Sequence, residues 1–328
     1  MVRVGVWGAG AWGEKHVRVY TAMERGGEAR LAGVYERNPE RAAAMAAQYG
    51  CRAFETAESL LNECDAVSIA VPTLTHRAAT EQALAAGCHV LVEKPMAVSV
   101  AEADAMIGAA QRAGRILQVG QVERFNPALL AARPFVRSPK FIEAHRLAMF
   151  QPRSLDIDVV FDLMIHDIDA VLLLVGAPPE AISAVGVAVL SANEDIANAR
   201  LEFEDGCVAN LTASRVSQER LRRIRFFQAD AYLSLDLNEK IGEMLWVDAA
   251  AVQASSAARP PVAFPAFARK SLDVTPGEPL MLQLAAFVQS LSHRGEGAAS
   301  AWAGREALRV AEAVRAAMKR RAGQWVTR

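Results

Sequence analysis

The sequence predicts an α/β protein of two parts: a doubly wound parallel sheet over residues 1–122 and an α+β domain over residues 123–328. Three observations carry this. Short apolar runs alternate with helical stretches from residue 2 to about residue 120, the pattern of parallel strands joined by right-handed crossovers. Gly8-Ala9-Gly10-Ala11-Trp12-Gly13 stands between the first strand and the first helix. After Gly120 the strand-like runs follow one another with few helices between, which implies an antiparallel or mixed sheet.

Residues 2–7 form an apolar strand that runs directly into the glycine-rich turn. The first glycine allows a tight turn. The second lets the backbone approach a pyrophosphate, and the third lets the helix pack closely on the strand. The helix that follows, to about residue 24, turns unpaired N–H groups and the positive end of its dipole towards the phosphates. Gly8, Ala9, Gly10, Ala11, Trp12 and Gly13 are therefore candidate dinucleotide contacts. The second strand, 31–35, ends in Glu36, placed to accept hydrogen bonds from the adenosine ribose. A carboxylate there repels a 2′-phosphate and favours NAD. Arg37 next to it can pair with that phosphate and keeps NADP open.

The alternation continues through a helix at 39–49, a strand at 52–54 and a helix at 57–61. An apolar strand at 66–71 is ended by Pro72-Thr73, and Thr75 is a plausible N-cap for a helix to residue 86. Next comes Cys88-His89-Val90-Leu91-Val92, rising to Glu93-Lys94-Pro95. A short apolar run bounded by breakers reads as a buried parallel strand. Pro95 cannot continue the ladder and biases Lys94 towards extended backbone. Lys94 should thus stand at the carboxyl end of a central strand, where open α/β sheets bind ligands. The bland alternative is a solvated surface charge. Ser99 caps a helix to residue 113, and 116–120 is the next strand.

In the second part, strands are expected near 141–149, 182–189, 197–203, 208–214, 222–228 and 232–236, with a turn at Glu204-Asp205-Gly206. Residues 249–265, rich in Ala, Ser and Pro, read as a loop, and 278–291 and 304–321 as helices. One long helix, about 158–175, interrupts the strands. It carries Asp158, Asp162, His166, Asp167 and Asp169 among apolar neighbours. Asp162 and His166 are four apart and share a face. A carboxylate one turn from an imidazole orients it and favours its charged form. The alternatives are a polar edge that fixes a salt bridge, or a metal site from Asp162, His166 and Asp169. Nothing else suggests a facial triad, and no metal is expected.

Thirty-six basic residues balance 37 acidic ones for a net charge of −1, which gives no electrostatic case for nucleic acid or an anionic membrane. No signal-peptide pattern opens the chain, and no apolar run reaches the ~18 residues of a membrane span. The four cysteines form no Cys-x-x-Cys pair and no zinc spacing, so they read as reduced, mostly buried residues of a cytoplasmic protein.

The glycine-rich first turn, Glu93-Lys94-Pro95 at a strand end, and Asp162-x-x-x-His166 on a later helix together resemble the Gfo/Idh/MocA oxidoreductase family. The resemblance covers nearly the whole chain. It implies an N-terminal Rossmann domain and a C-terminal α+β domain with a large open, mainly antiparallel sheet. The outer face of that sheet would join subunits into a homodimer or homotetramer. Lys94 would be the catalytic lysine, flanked by Glu93 and Pro95. His166 would move the proton, with Asp162 as its acidic companion. Gly8, Gly10 and Gly13 would line the pyrophosphate, Glu36 the ribose, and Pro72-Thr73 with His76 the nicotinamide side.

The segments Gly120-Gln121-Val122-Glu123-Arg124-Phe125-Asn126-Pro127 and Asp162-Leu163-Met164-Ile165-His166-Asp167-Ile168-Asp169 resemble the bacterial UDP-N-acetylglucosamine 3-dehydrogenase branch, which oxidises the sugar's 3-hydroxyl with NAD. Gln121 stands where that branch would have histidine, and its carboxamide can still bond cofactor or sugar. Arg124 is a candidate for the sugar nucleotide's diphosphate, because guanidinium matches phosphate oxygens. Its alternative is a salt bridge with Glu123. Asn126 is a further substrate candidate. Two other functions stay open: an inositol or free-sugar dehydrogenase, and a non-catalytic dinucleotide sensor.

Overall fold

The computed structural model describes residues 1–151, 157–247, 267–293 and 300–326. The loop expected at 249–265 lies outside the described residues. The chain divides into two compact units, Met1–Phe125 with Glu278–Arg309, and Asn126–Gly277 with Val310–Arg328.

In chain order the first unit contains β1 (Val2–Trp7), α1 (Ala11–Arg25), β2 (Ala29–Tyr35), α2 (Pro39–Tyr49), β3 (Ala53–Phe54), α3 (Ala57–Leu61), β4 (Ala66–Ile69), α4 (His76–Ala85), β5 (His89–Val92), α5 (Val100–Ala113) and β6 (Leu117–Val119). The strands form one parallel sheet in the order β3-β2-β1-β4-β5-β6. This is the Rossmann arrangement, whose order reverses between β1 and β4 and opens a crevice at the carboxyl ends there. Helix α1 forms because its apolar side chains recur at helical spacing, and it buries Val17, Tyr20 and Met23 against Val4, Val6, Leu31 and Val34. Asn38 and Ser99 cap α2 and α5 as their types predict. Thr75 differs from expectation. Its hydroxyl donates to the Pro72 carbonyl at 2.8 Å within a 3₁₀ turn, Thr73–Thr75, so it does not cap α4.

The second unit contains α6 (Pro127–Ala132), β7 (Phe141–Leu147), α7 (Ile165–Val175), β8 (Ala181–Val187), β9 (Ile196–Glu202), β10 (Val208–Ser214), β11 (Leu221–Phe227), β12 (Ala231–Asp236), β13 (Ile241–Val247) and β14 (Phe267–Ser271). Its sheet runs β14-β13-β12-β11-β7-β10-β9-β8, antiparallel except where β7 meets β10. Strands β13 and β14 were not expected from sequence. A glycine interrupts β13, and β14 is largely polar, so neither shows clean alternation. A Cβ at Gly242 would come within 2.7 Å of the Leu235 side chain and 2.8 Å of that of Leu272, so a larger residue there would have to displace these leucine methyls.

The chain closes with α8 (Pro279–His293) and α9 (Ala301–Val326). These correct the expected single division at residue 122. Helix α8 and the first turns of α9 belong to the Rossmann unit. The cause is apolar burial: Leu280, Leu284, Phe287 and Val288 complete the same core as Val17 and Leu31. The Gln118 amide donates to Ser290 Oγ at 3.0 Å, and that of Gln283 to the Val119 carbonyl at 3.3 Å. No described helix is long and apolar enough to cross a membrane.

Candidate active site

The carboxyl edge of the parallel sheet gathers most of the residues singled out from sequence. Gly8 has φ +109°, and an added Cβ would meet the Ala70 carbonyl oxygen at 2.6 Å. At Gly13 a Cβ would sit 1.8 Å from the Gly8 carbonyl oxygen, so α1 can start against β1 only without a side chain. A Cβ on Gly10 would meet nothing within 4 Å, and no side chain caps α1. Ala9 is buried, Ala11 is exposed, and Trp12 is half-buried with Lys15 Nζ 4.2 Å above its ring. Glu36, at the end of β2, accepts from the Ala9 N–H at 2.8 Å and the Asn38 N–H at 3.1 Å. Those bonds hold the carboxylate beside the glycine turn, while Arg37 is exposed.

This arrangement fits a dinucleotide. Open space at Gly10, unpaired helix-terminal N–H groups and a fixed carboxylate provide a phosphate cradle and a ribose acceptor. Gly13→Ala is expected to lower both Tm and NAD affinity, the latter at least tenfold, because the clash is with backbone. Gly10→Ala should change Tm by no more than about 1 kcal/mol of stability allows and still weaken NAD binding. Thermal melts with and without NAD read both effects.

Lys94 is half-buried at the end of β5, and its backbone N–H donates to Glu93 Oε2 at 3.3 Å. Glu93 is buried, lies 2.9 Å from His16 Nε2 of α1, and packs so tightly on Gly120 that a Cβ there would lie 2.7 Å from Oε1. His16 was not picked out from sequence. Nothing local marks it, since its partner lies 77 positions away. Pro72 is exposed and Thr73 half-buried, at the end of β4.

His76 is buried, with Nδ1 3.0 Å from the Pro95 carbonyl and Nε2 2.9 Å from the Val71 carbonyl. It ties the loop carrying Lys94 to the loop after β4. Burial holds its pKa below the ordinary 6.5, against the opposing pull of those carbonyls and of Glu93. Because the folded value is the lower one, the unfolded chain takes the proton first as pH falls. His76 therefore contributes stability that is intact above pH about 6.5 and is lost below it. Replacing it in His76→Gln should flatten the slope of Tm against pH between about 7 and 5.

Gln121 follows β6 at 1% exposure, and neither its Oε1 nor its Nε2 has a hydrogen-bond partner among the described residues. A buried carboxamide in that state costs free energy unless a bound group completes it, which suits a cofactor contact. Arg124 is also buried, on a 3₁₀ turn over Val122–Phe125. Asn126 has a structural task that the sequence reading missed. Its Oδ1 accepts from the Ala128 N–H at 3.1 Å to cap α6, and its Nδ2 donates to the Leu237 carbonyl at 2.9 Å. Its amide thus has a task within the fold, beside the substrate contact expected of it.

In the second unit, the expected helix over 158–175 has two parts. Val160–Met164 is a π-helical turn, and α7 follows. Asp158 begins it, with Oδ1 accepting from the N–H groups of Val160 at 3.0 Å and Phe161 at 3.2 Å. The wider turn carries Asp162, so the angular offset from Asp162 to His166 differs from that of a uniform α-helix. Such π turns recur at functional sites because they re-aim side chains. Asp162 is half-buried and His166 is buried. Asp167 is not part of this pair. It accepts from Arg146 Nε at 2.9 Å and Nη2 at 2.8 Å, both partners buried. Among the described residues no group of three His, Cys, Asp or Glu side chains could hold a metal ion.

Comparison with known proteins agrees with this architecture. Residues 2–121 match the family model described as "Oxidoreductase family, NAD-binding Rossmann fold", and residues 136–233 match the "GFO/IDH/MocA C-terminal domain". UDP-N-acetylglucosamine 3-dehydrogenase of Acidithiobacillus ferrooxidans is 48% identical over 72% of this chain and 74% of its own length. A solved structure of that enzyme superposes with TM-score 0.87 at 39% identity, covering 96% of this chain and 97% of the other. Inositol 2-dehydrogenase of Acidothermus cellulolyticus is more distant, at 31% identity over 56% of each chain.

Proposed function

The chain belongs to the Gfo/Idh/MocA family of NAD-binding oxidoreductases, and from that premise we propose that it oxidises the 3-hydroxyl of a UDP-N-acetylglucosamine-like nucleotide sugar. The observation that carries this reading is the likeness to a UDP-N-acetylglucosamine 3-dehydrogenase, which runs through both units. The inositol dehydrogenases, at lower identity over a shorter span, support the free-polyol alternative less well.

Gly8, Gly10, Gly13 and Glu36 hold NAD, with Pro72, Thr73 and Gln121 as further contacts. Bound nicotinamide supplies the acceptor for the hydride. Neutral His166 takes the proton of the sugar hydroxyl as general base, and Asp162 orients it. Lys94, as an ammonium, donates a hydrogen bond to the hydroxyl oxygen and favours the negative charge that develops there. Glu93, His16 and His76 are positioning residues: they fix the end of β5 from which Lys94 extends. Arg124 remains a candidate for the substrate side. An intact Lys94, Asp162 and His166 set argues for an enzyme, since a pure dinucleotide sensor needs no proton acceptor.

The protein works as a cytoplasmic homo-oligomer in this reading. Its free cysteines support the compartment. The face of the large sheet carrying Phe141, Phe227 and Tyr232 supports the assembly, with ring centroids 5.5 and 4.9 Å apart along that row. The test is NAD reduction, followed by absorbance, with UDP-N-acetylglucosamine, its 3-deoxy analogue, N-acetylglucosamine and myo-inositol. Turnover should need both the nucleotide and the 3-hydroxyl. Faster reduction with myo-inositol would replace this reading with the polyol one.

A further inference from the structure

We infer that Gln121 reads the carboxamide of the cofactor's nicotinamide, donor to acceptor and acceptor to donor, and so fixes how the ring is turned about its ribose. The inference rests on the cofactor contacts proposed above and not on the choice of sugar.

The backbone fixes where this side chain begins. The Gln121 N–H donates to the Val119 carbonyl at 2.7 Å, and its own carbonyl accepts from the Arg124 N–H at 3.1 Å. On one side, the Gly120 N–H is tied to the Val92 carbonyl of β5 at 2.7 Å. On the other, Val122 packs on the core that α1 and α8 share. The side chain is closed to solvent, and among the described residues neither amide atom is paired. An amide held in that state destabilises the free protein.

The strand order says which part of a dinucleotide is near. Glu36 follows β2, the glycine turn follows β1, Thr73 follows β4, Lys94 follows β5 and Gln121 follows β6. With adenosine at Glu36 and pyrophosphate at the glycine turn, the nicotinamide half runs towards β4 and β5. Gln121 stands four strands from β2, roughly 19 Å at the ordinary strand spacing, so the adenine is out of its reach. Its chain neighbour Gly120 lies against the carboxylate of Glu93, the residue before Lys94.

Amide chemistry narrows the match further. A primary carboxamide carries an oxygen and an N–H side by side on one edge, so two of them close with two bonds. The N-acetyl group of a sugar is a secondary, trans amide, whose N–H and C=O point in opposite directions. It can meet only one atom of Gln121 at a time. Histidine, expected at this position from the resemblance to the 3-dehydrogenase branch, has ring nitrogens that diverge, and it too could meet only one atom of a carboxamide. The nicotinamide carboxamide is conjugated with its ring and lies near the ring plane. Holding that group therefore fixes which face of the ring is turned to the substrate.

Calorimetric titration of the intact protein with NAD, its 3-acetylpyridine analogue and ADP-ribose tests this. The analogue keeps the acceptor oxygen and has a methyl group in place of the NH₂, and ADP-ribose has no ring. Wild type should bind NAD at least about fivefold more tightly than the analogue, the scale of one hydrogen bond. Gln121→Met, similar in length but apolar, should bind NAD at least about fivefold more weakly than wild type and lose the preference over the analogue. Its ADP-ribose affinity should change less than about twofold, and its Tm without ligand should hold or rise, because the unpaired amide is gone. A residue that serves only the fold would not move the ratio of NAD to analogue affinity. If Gln121→Met keeps the wild-type preference for NAD, the inference fails and the cofactor reading stands. If ADP-ribose affinity falls as far as that of NAD, Gln121 shapes the cradle without reading the ring, and the inference fails. If wild type binds neither NAD nor ADP-ribose, the cofactor reading falls and takes this inference with it.

Discussion

Lys94→Ala is expected to reduce kcat by ~10²–10³-fold, the usual cost of removing one donor to a developing oxyanion, while NAD still raises Tm. The glycine turn and Glu36, which make the cradle, are untouched by the change. His166→Ala should lower kcat by ~10²–10⁴-fold, and its residual rate should climb with pH as hydroxide substitutes for the missing base. The double variant decides whether the two act together. Groups that serve one transition state are strongly non-additive. Lys94→Ala/His166→Ala should therefore be little worse than the poorer single variant. Multiplying losses would mean that the two side chains serve separate steps. Near-normal turnover in Lys94→Ala would remove the mechanism altogether.

Much of this was legible before any coordinates because backbone chemistry is local. Gly8 needs positive φ and Gly13 cannot hold a Cβ, so the turn announces itself at fixed spacing. Pro95 stops β5, which puts Lys94 at a strand end by sequence alone. Long-range pairing was not legible. The Glu93–His16 contact joins residues of ordinary type from a strand end and a helix. Asn126 before Pro127 reads from sequence as a cap or a ligand contact, and its bond to the Leu237 carbonyl, 111 positions away, has no local signal. The π-helical turn was hidden for a different reason: an apolar run with four-residue spacing reads as α-helix whichever hydrogen-bond step it adopts.

The largest loss of stability is expected from Asp167→Ala. Arg146 and Asp167 are buried to 3% and 5% side-chain exposure and joined by two parallel bonds. Removing one partner of such a pair leaves an uncompensated buried charge and costs about 3–5 kcal/mol. For a chain of this size that corresponds to a Tm drop of roughly 6–15 °C. Asp104→Ala is the control: Asp104 also pairs with an arginine, Arg305 at 2.9 Å, but its side chain is 46% exposed. Exposed pairs contribute about 0–1 kcal/mol, so its Tm should scarcely move. Replacing both buried partners, as Arg146→Met/Asp167→Leu, should recover most of the lost stability, because neither charge is then stranded.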